Sequence, residues 1–444
     1  MHIGFVESPD PIMKERNYVM KKLLAVLLVC VMALSMSGIV LAETSAEGLV
    51  PGTIVAEDAA SPTGYTVTFT FESAEAASVQ LDVGANYYAR PNYSVERRSD
   101  QPKLGTLPET VVSPYDWTPD LIGEGYEGCI IDLEKVDGTD LWTVSLPLAH
   151  GLIQYNYIVD GEPTDDPTNP PMVNPNENGG RDGDSTLYVP LNAEKQPNAT
   201  DFSYLDAENV TESGKLEYVT YTDVNGNVAN LGVYTPYGFD AQREEPYKVV
   251  YVSHGGGANE VNWFGCGRMN IEYDHMIQNG QIEPCVVVTM NNAAFDWDYA
   301  VIVDNLKNCI FPFMQENYNV SSEPANRAFC GLSMGGMTTS NVLHACPNDF
   351  DYFGIFSGGD STLDFTTVEF EGEQPTIMVG AGCYDFGYMG GAAGTSADTF
   401  SNVSLAIKFG AAGIKYDWRV VDGGHDWYTW PELMHIFATE YLWK

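Results

Sequence analysis

Arg327-Ala328-Phe329-Cys330-Gly331-Leu332-Ser333-Met334-Gly335-Gly336 is the stretch from which the fold is read. A short apolar run, residues 327–330, enters a Gly-x-Ser-x-Gly turn, and a helix-compatible run follows over residues 334–345. In so tight a strand-to-helix turn the serine hydroxyl is lifted off the end of a sheet, and glycine two residues to either side avoids collision. The helix that follows aims its N-terminal amides at the same point. A nucleophile elbow of this kind predicts strand–helix alternation around it.

That alternation is present from about residue 206 onward. Apolar runs at 249–252, 285–289, 353–356, 376–379 and 416–421 read as strands, and 299–318, 334–345, 401–409 and 431–441 read as helices. Two extended segments, 216–221 and 231–235, come before the first of these runs. Continuously apolar strands alternating with helices predict an α/β fold, a mostly parallel sheet with helices on both faces. Before residue 206 the pattern has period two. Val67, Phe69 and Phe71 alternate, as do Val79, Leu81 and Val83, then Trp142, Val144, Leu146 and Leu148, then Tyr155, Tyr157 and Val159. Such runs split by Gly and Pro turns predict an antiparallel β-sandwich. Residues 89–127, punctuated by Pro and Gly, read as a long loop or insertion, and polar residues 192–201 as a linker.

At the N-terminus, Met20-Lys21-Lys22 precedes an apolar stretch over residues 23–36, and Val40-Leu41-Ala42 ends in small residues before Glu43. The order cationic, apolar, small is that of an export signal cleaved near Ala42. The expected division is therefore 1–42 extension and signal, 43–205 β-sandwich with linker, and 206–444 α/β domain. The expected location is extracellular, with no membrane association after cleavage.

Composition narrows the partners. Of 444 residues, 61 are acidic and 21 basic, for a formal charge of −40. Nucleic acid and anionic lipid demand clustered cations and are excluded on that ground, whereas a neutral polysaccharide is compatible. Loss of Cys30 with the signal leaves seven of the eight cysteines, an odd number that requires a free thiol unless chains pair. None has zinc-site spacing.

A serine nucleophile needs a base. Of the seven histidines, His425 follows Gly423-Gly424 directly after the 416–421 strand, on a loop where α/β sheets assemble their sites. His275, His344 and His435 fall in helical patterns, and His150 in the β-rich half. The acid belongs between nucleophile and base in the chain. Asp385, in the loop after the 376–379 strand, is favoured to hold the imidazole, with Asp360 after Ser357-Gly358-Gly359 as its rival. His254-Gly255-Gly256-Gly257 follows the 249–252 strand and matches the loop that supplies one oxyanion donor, from Gly256 or Gly257. The amide of Met334 supplies the other. Trp263 beyond the glycine loop and Trp427 beyond His425 are candidate substrate walls, or else core packing, and packing is expected for Trp430.

These motifs, in this order, resemble carbohydrate esterase family 1, the esterase D-like group of feruloyl and acetylxylan esterases. The residues that carry the resemblance are His254-Gly255-Gly256-Gly257, the 327–336 elbow, Phe356-Ser357-Gly358-Gly359, Gly382-x-x-Asp385 and Gly423-Gly424-His425-Asp426-Trp427. It covers roughly residues 210–444 and implies an α/β hydrolase with Ser333, Asp385 and His425 as its triad and with no metal or organic cofactor. In the first half, Leu141-Trp142-Thr143-Val144, Val159-Asp160-Gly161 and Asp166-Pro167-Thr168-Asn169-Pro170 resemble a carbohydrate-binding module of family 48, an early-set sandwich. Together the resemblances imply a secreted serine esterase acting on feruloylated arabinoxylan or its oligosaccharides. Acetylxylan esterase, a siderophore (enterochelin-type) esterase and a non-catalytic glycan-binding protein are the alternatives.

Overall fold

Along residues 248–253 successive side chains point to opposite faces, and both faces are apolar. Val249 and Tyr251 enter one core, Val250 and Val252 another. Such a strand needs a covering layer on each side of its sheet, and the computed structural model has that arrangement. The structure describes residues 49–61, 63–83, 130–176, 184–197, 199–383, 385–389 and 400–444. The expected export segment, the expected 89–127 insertion and Cys129 lie outside the described residues.

In the first half the strands are β1 (Gly52–Glu57), β2 (Tyr65–Glu72), β3 (Val79–Asp82), β4 (Ile130–Asp132), β5 (Glu134–Lys135), β6 (Leu141–Leu146), β7 (Gly151–Val159), β8 (Glu162–Thr164) and β9 (Ser185–Val189). They form two antiparallel sheets, ordered β1-β2-β6-β5 and β4-β3-β7-β8, with β9 paired to β7. Val67, Phe69, Leu81, Trp142, Tyr155 and Tyr157 share one core between them. These are positions of the period-two pattern. β1 was not expected: it is an edge strand with only its first residue buried, so its sequence carries little alternation.

The second half holds β10 (Lys215–Thr222), β11 (Val228–Thr235), β12 (Lys248–Ser253), β13 (Cys285–Met290), β14 (Arg327–Leu332), β15 (Tyr352–Phe356), β16 (Thr376–Gly382) and β17 (Asp417–Val421). Their order, β10-β11-β13-β12-β14-β15-β16-β17, is that of the α/β-hydrolase sheet. The sheet is mixed. β10 and β11 pair antiparallel, β11 joins β13 antiparallel, and from β13 to β17 every pair is parallel. Leu306, Met314, Val342 and Phe409 from the covering helices pack one face with Val249 and Phe329. Met269, Tyr273, Leu433 and Phe437 pack the other with Val250 and Cys330. Cys266, Cys285, Cys309, Cys330, Cys346 and Cys383 are free thiols, all but Cys309 buried.

Contacts run across the boundary expected at residue 205, and Val50–Lys444 is one compact unit. The 192–201 segment, expected as a linker, is docked. Gln196 is 1% exposed, and its amide donates to the Thr63 carbonyl at 2.9 Å while its oxygen accepts from the His150 N–H at 3.2 Å. Polar composition misled here because these side chains satisfy buried backbone groups rather than water. His150 is similarly used: Nδ1 meets the Val189 carbonyl at 2.8 Å and Nε2 accepts from the Phe202 N–H at 2.9 Å.

Thr200, on the same segment, donates its hydroxyl to Glu432 at 3.3 Å. Burial pushes the Glu432 carboxyl up to about 7, with the Thr200 bond opposing it. A carboxyl raised in the folded state binds its proton more tightly there than in the unfolded chain. Its burden on stability therefore grows as pH rises from about 4.5 to about 7 and then levels off. Glu432→Gln, which keeps the acceptor for Thr200, is expected to gain up to about 3 kcal/mol above pH 7 and little at pH 5. Thermal melts at pH 5 and pH 8 check this, and a gain independent of pH would contradict it.

Candidate active site

β14 delivers Ser333 at the carboxyl edge of the sheet, with φ 54° and ψ −120°. A non-glycine residue at such a φ is strained and persists only where its surroundings hold it. Here the Ser333 N–H donates to the Phe356 carbonyl at 2.9 Å, and the helix Met334–Ala345 begins at the next residue. The turn leaves no room on its far side: a Cβ at Gly335 would lie 2.5 Å from the Ser253 carbonyl oxygen.

Three strand ends then converge. His425, past β17, places Nε2 2.9 Å from Ser333 Oγ, and its Nδ1 lies 2.8 Å from Asp385 Oδ1. Asp385, past β16, is fully buried, and its Oδ1 also accepts the Gly387 N–H at 2.6 Å. A carboxylate accepts only, so Nδ1 carries the proton and Nε2 is left to accept from the serine hydroxyl. Asp360 is occupied elsewhere. Oδ1 accepts the Thr362 N–H at 2.9 Å and its hydroxyl at 2.5 Å, and Oδ2 accepts Asn341 Nδ2 at 3.0 Å. It braces its own turn against the elbow helix.

The glycine loop lies opposite. Burial pushes His254 down to about 4, so the imidazole is neutral at working pH. Its Nδ1–H donates to the Gly255 carbonyl at 2.7 Å and Nε2 accepts the Asn292 N–H at 3.0 Å. His254 therefore shapes the loop from behind. Gly256 runs so close to Met334 that a Cβ would lie 2.8 Å from its sulfur. The Met334 amide, at the start of its helix, is among the donors that have no intrahelical acceptor. Gly256, Gly257 and Met334 are thus brought together beside Ser333.

Between loop and triad is a cleft of ≈220 Å³, lined by the glycine loop, Ala258, Asn262, Leu332, Ser333, His425, Trp427 and Trp430. Trp427 is one wall of it. Trp263 is corrected: it is 1% exposed, its indole N–H donates to the Ser253 carbonyl at 3.0 Å, and it packs edge-to-face behind Trp427 at 5.5 Å. An indole this close to the loop in sequence has its N–H satisfied by a strand carbonyl, which draws it into the core. Trp430 is the residue sequence reasoning undervalued. It packs as expected but also lines the cleft, stands edge-on to His425 at 5.1 Å, and donates its N–H to Ser357 Oγ at 2.9 Å. Ser357, with φ 54°, was visible only as part of a Ser-Gly-Gly strand end.

Chemically, this is a hydroxyl paired with an imidazole, the imidazole oriented by a buried carboxylate, and backbone donors beside the reacting atom. The sheet has the α/β-hydrolase strand order, and the site holds the groups that acyl transfer requires. The model of the family described as "Putative esterase" matches residues 224–438. Over 334 residues the chain is 26% identical to an endo-1,4-beta-xylanase/feruloyl esterase of Xylanibacter ruminicola, an alignment covering 71% of this chain and 42% of that protein. Over 158 residues it is 32% identical to endo-1,4-beta-xylanase Y of Acetivibrio thermocellus, covering 33% of this chain and 14% of that protein. The chain thus spans less than half the length of these curated relatives. Among solved structures, the enterobactin esterase of Shigella flexneri matches with a TM-score of 0.53 at 14% identity, over 89% of this chain and 96% of that one. That likeness is one of fold.

Proposed function

We propose that this protein is an exported serine carboxylesterase that releases feruloyl groups from arabinoxylan. The observation that carries the reading is the Ser333–His425–Asp385 hydrogen-bond chain at the mouth of a cleft walled by Trp427 and Trp430. The xylan-linked names of the relatives favour a polysaccharide substrate. So does the sandwich-like first half, which we read as a module of the carbohydrate-binding type.

In the proposed reaction Ser333 Oγ bonds to the ester carbonyl carbon and its proton passes to His425 Nε2. The oxygen that becomes negative is held by the amides of the Gly256–Gly257 loop and of Met334. Collapse breaks the bond to the sugar oxygen, which leaves with the proton from His425. Water then gives a proton to His425 and its oxygen to the acyl carbon, and ferulate departs as Ser333 recovers its proton. Asp385 stabilises the imidazolium in both halves.

The acyl preference follows from the tryptophan wall. Burying a flat aromatic acid against Trp427 contributes about 1.5–3 kcal/mol, as for an apolar side chain of similar size, and an acetyl group collects almost none of it. kcat/KM for methyl ferulate is expected to exceed that for a small acetyl ester by at least about tenfold, or roughly 1.4 kcal/mol. Trp427→Ala should narrow the gap by slowing the feruloyl substrate selectively. Products released from feruloylated arabinoxylan, acetylated xylan and enterobactin, measured side by side, test the assignment. Release of acetate or of the siderophore acid in preference to ferulate would overturn it.

A further inference from the structure

A buried hydrogen bond joins the first half of the chain to the turn that follows the glycine loop. Asn174, in the segment between β8 and β9, donates Nδ2 to Glu260 Oε1 at 2.5 Å. Neither side chain meets solvent: Asn174 is 2% exposed and Glu260 is fully buried. Asn174 is itself fixed, because its Oδ1 accepts the Asn176 N–H at 2.9 Å and Asn176 donates to the Tyr218 carbonyl on β10 at 3.0 Å.

Glu260 follows the glycine loop by three residues and stands between two residues of the cleft lining, Ala258 and Asn262. Its carbonyl accepts the Thr289 hydroxyl of β13 at 2.6 Å. The turn around it is internally braced: Asn259 Oδ1 accepts the Val261 N–H at 2.9 Å, and Asn262 Oδ1 accepts the Asn259 N–H at 2.8 Å. A braced turn moves as a piece, so a shift at Glu260 is passed to Gly257 and Gly256. The opposite wall is held from the same side. Tyr428, next to Trp427, shares a core with Leu152 and Tyr188, and Phe202 packs edge-to-face on it at 4.5 Å.

We propose that Asn174 is a positioning residue for ester hydrolysis: its hydrogen bond to Glu260 holds the oxyanion loop in register with Ser333. The N-terminal β-region is then part of the catalytic apparatus for every ester, small ones included, and not only a tether to polymer. This inference rests on Ser333 being the nucleophile. A hydrogen bond between buried partners is directional and costly to leave unmade, and a reacting geometry tolerates little displacement of its donors. Because the oxyanion forms with any acyl group, loss of the clamp should appear in kcat and not in KM.

The test uses the full chain. Asn174→Asp puts a carboxylate where Glu260 needs a donor. It is expected to lower kcat about 10- to 100-fold on both methyl ferulate and p-nitrophenyl acetate, a fraction of the loss on deleting an oxyanion donor outright, with KM within about threefold. Labelling of Ser333 by a phosphonate ester, followed by mass, should slow in parallel. The double variant Asn174→Asp/Glu260→Gln exchanges donor and acceptor across the pair and is expected to recover most of kcat, which a purely structural loss would not do. Asn174→Ala carries the same expectation without added charge should the aspartate variant fail to fold. Normal kcat in a folded single variant, or a loss that the exchange does not repair, would overturn the clamp. A wild type whose Ser333 takes up no phosphonate would instead overturn the nucleophile assignment beneath it.

Discussion

Ser333→Ala is expected to lower kcat for methyl ferulate by about 10⁴-fold or more while leaving the fold intact. In the proposed reaction everything else at the site acts through the Ser333 hydroxyl. Its oxygen lies 2.9 Å from His425 Nε2, beside the glycine loop at the cleft mouth. Alanine keeps the backbone and most of the volume but removes the atom that forms the acyl bond in the proposed reaction. The residual rate then reflects binding and the oxyanion donors alone. Folding should be unharmed, because the φ of 54° at this position is held by the Phe356 carbonyl and the packed glycines, neither of which uses the hydroxyl. Sulfonyl fluorides should add mass at Ser333 in the parent and at no residue in the variant. Turnover within tenfold of the parent would end the serine mechanism.

Asp385→Asn is expected to cost about 10²–10⁴ in kcat, and Asp360→Asn far less. The reason is the proton on His425. With a carboxylate facing Nδ1 at 2.8 Å, the imidazole has one tautomer open to it, and the positive charge it acquires during attack is matched by a buried negative one. An amide supplies neither the charge nor a guaranteed acceptor, and a flipped amide would place the proton on Nε2, where Ser333 needs a lone pair. Asp360 has no part in this. Its carboxylate bonds Thr362 and Asn341, so its loss should be read in thermal stability, at about 1 kcal/mol, the usual worth of such a bond. Parallel kinetics and melts on the two variants decide the matter. A reversed ranking would move the acid to Asp360.

The site was legible as far as its parts are local. The elbow at 331–335, the glycines after His254 and the placement of His425 past a strand each follow from a few neighbouring residues. Between Asp385 and Asp360 the sequence leaned towards the Asp385 loop but had no means to show that Asp360 was engaged by a helix. For Trp263 it pointed the wrong way, since nearness along the chain to the glycine loop is not nearness to the cleft. The 192–201 segment reads as solvated, and the partners that bury it, Thr63 and His150, are far from it in sequence.

What the sequence determined by itself were features whose cause lies within about ten residues: period-two and two-faced apolar strands, the strained turn at Ser333, and strand–helix alternation. Sterics and side-chain periodicity act at that range, so the amino-acid order is enough. What only the tertiary structure decided were pairings across long separations. Asp385 meets His425 from 40 residues away, Ser333 meets His425 from 92, and Asn174 meets Glu260 from 86. Such pairs exist because a twisted sheet brings its strand ends to one edge and lays the β-region against it. Neither partner carries a local sign of the other, because the contact is set by how the layers pack and by the need of each buried polar group for a partner.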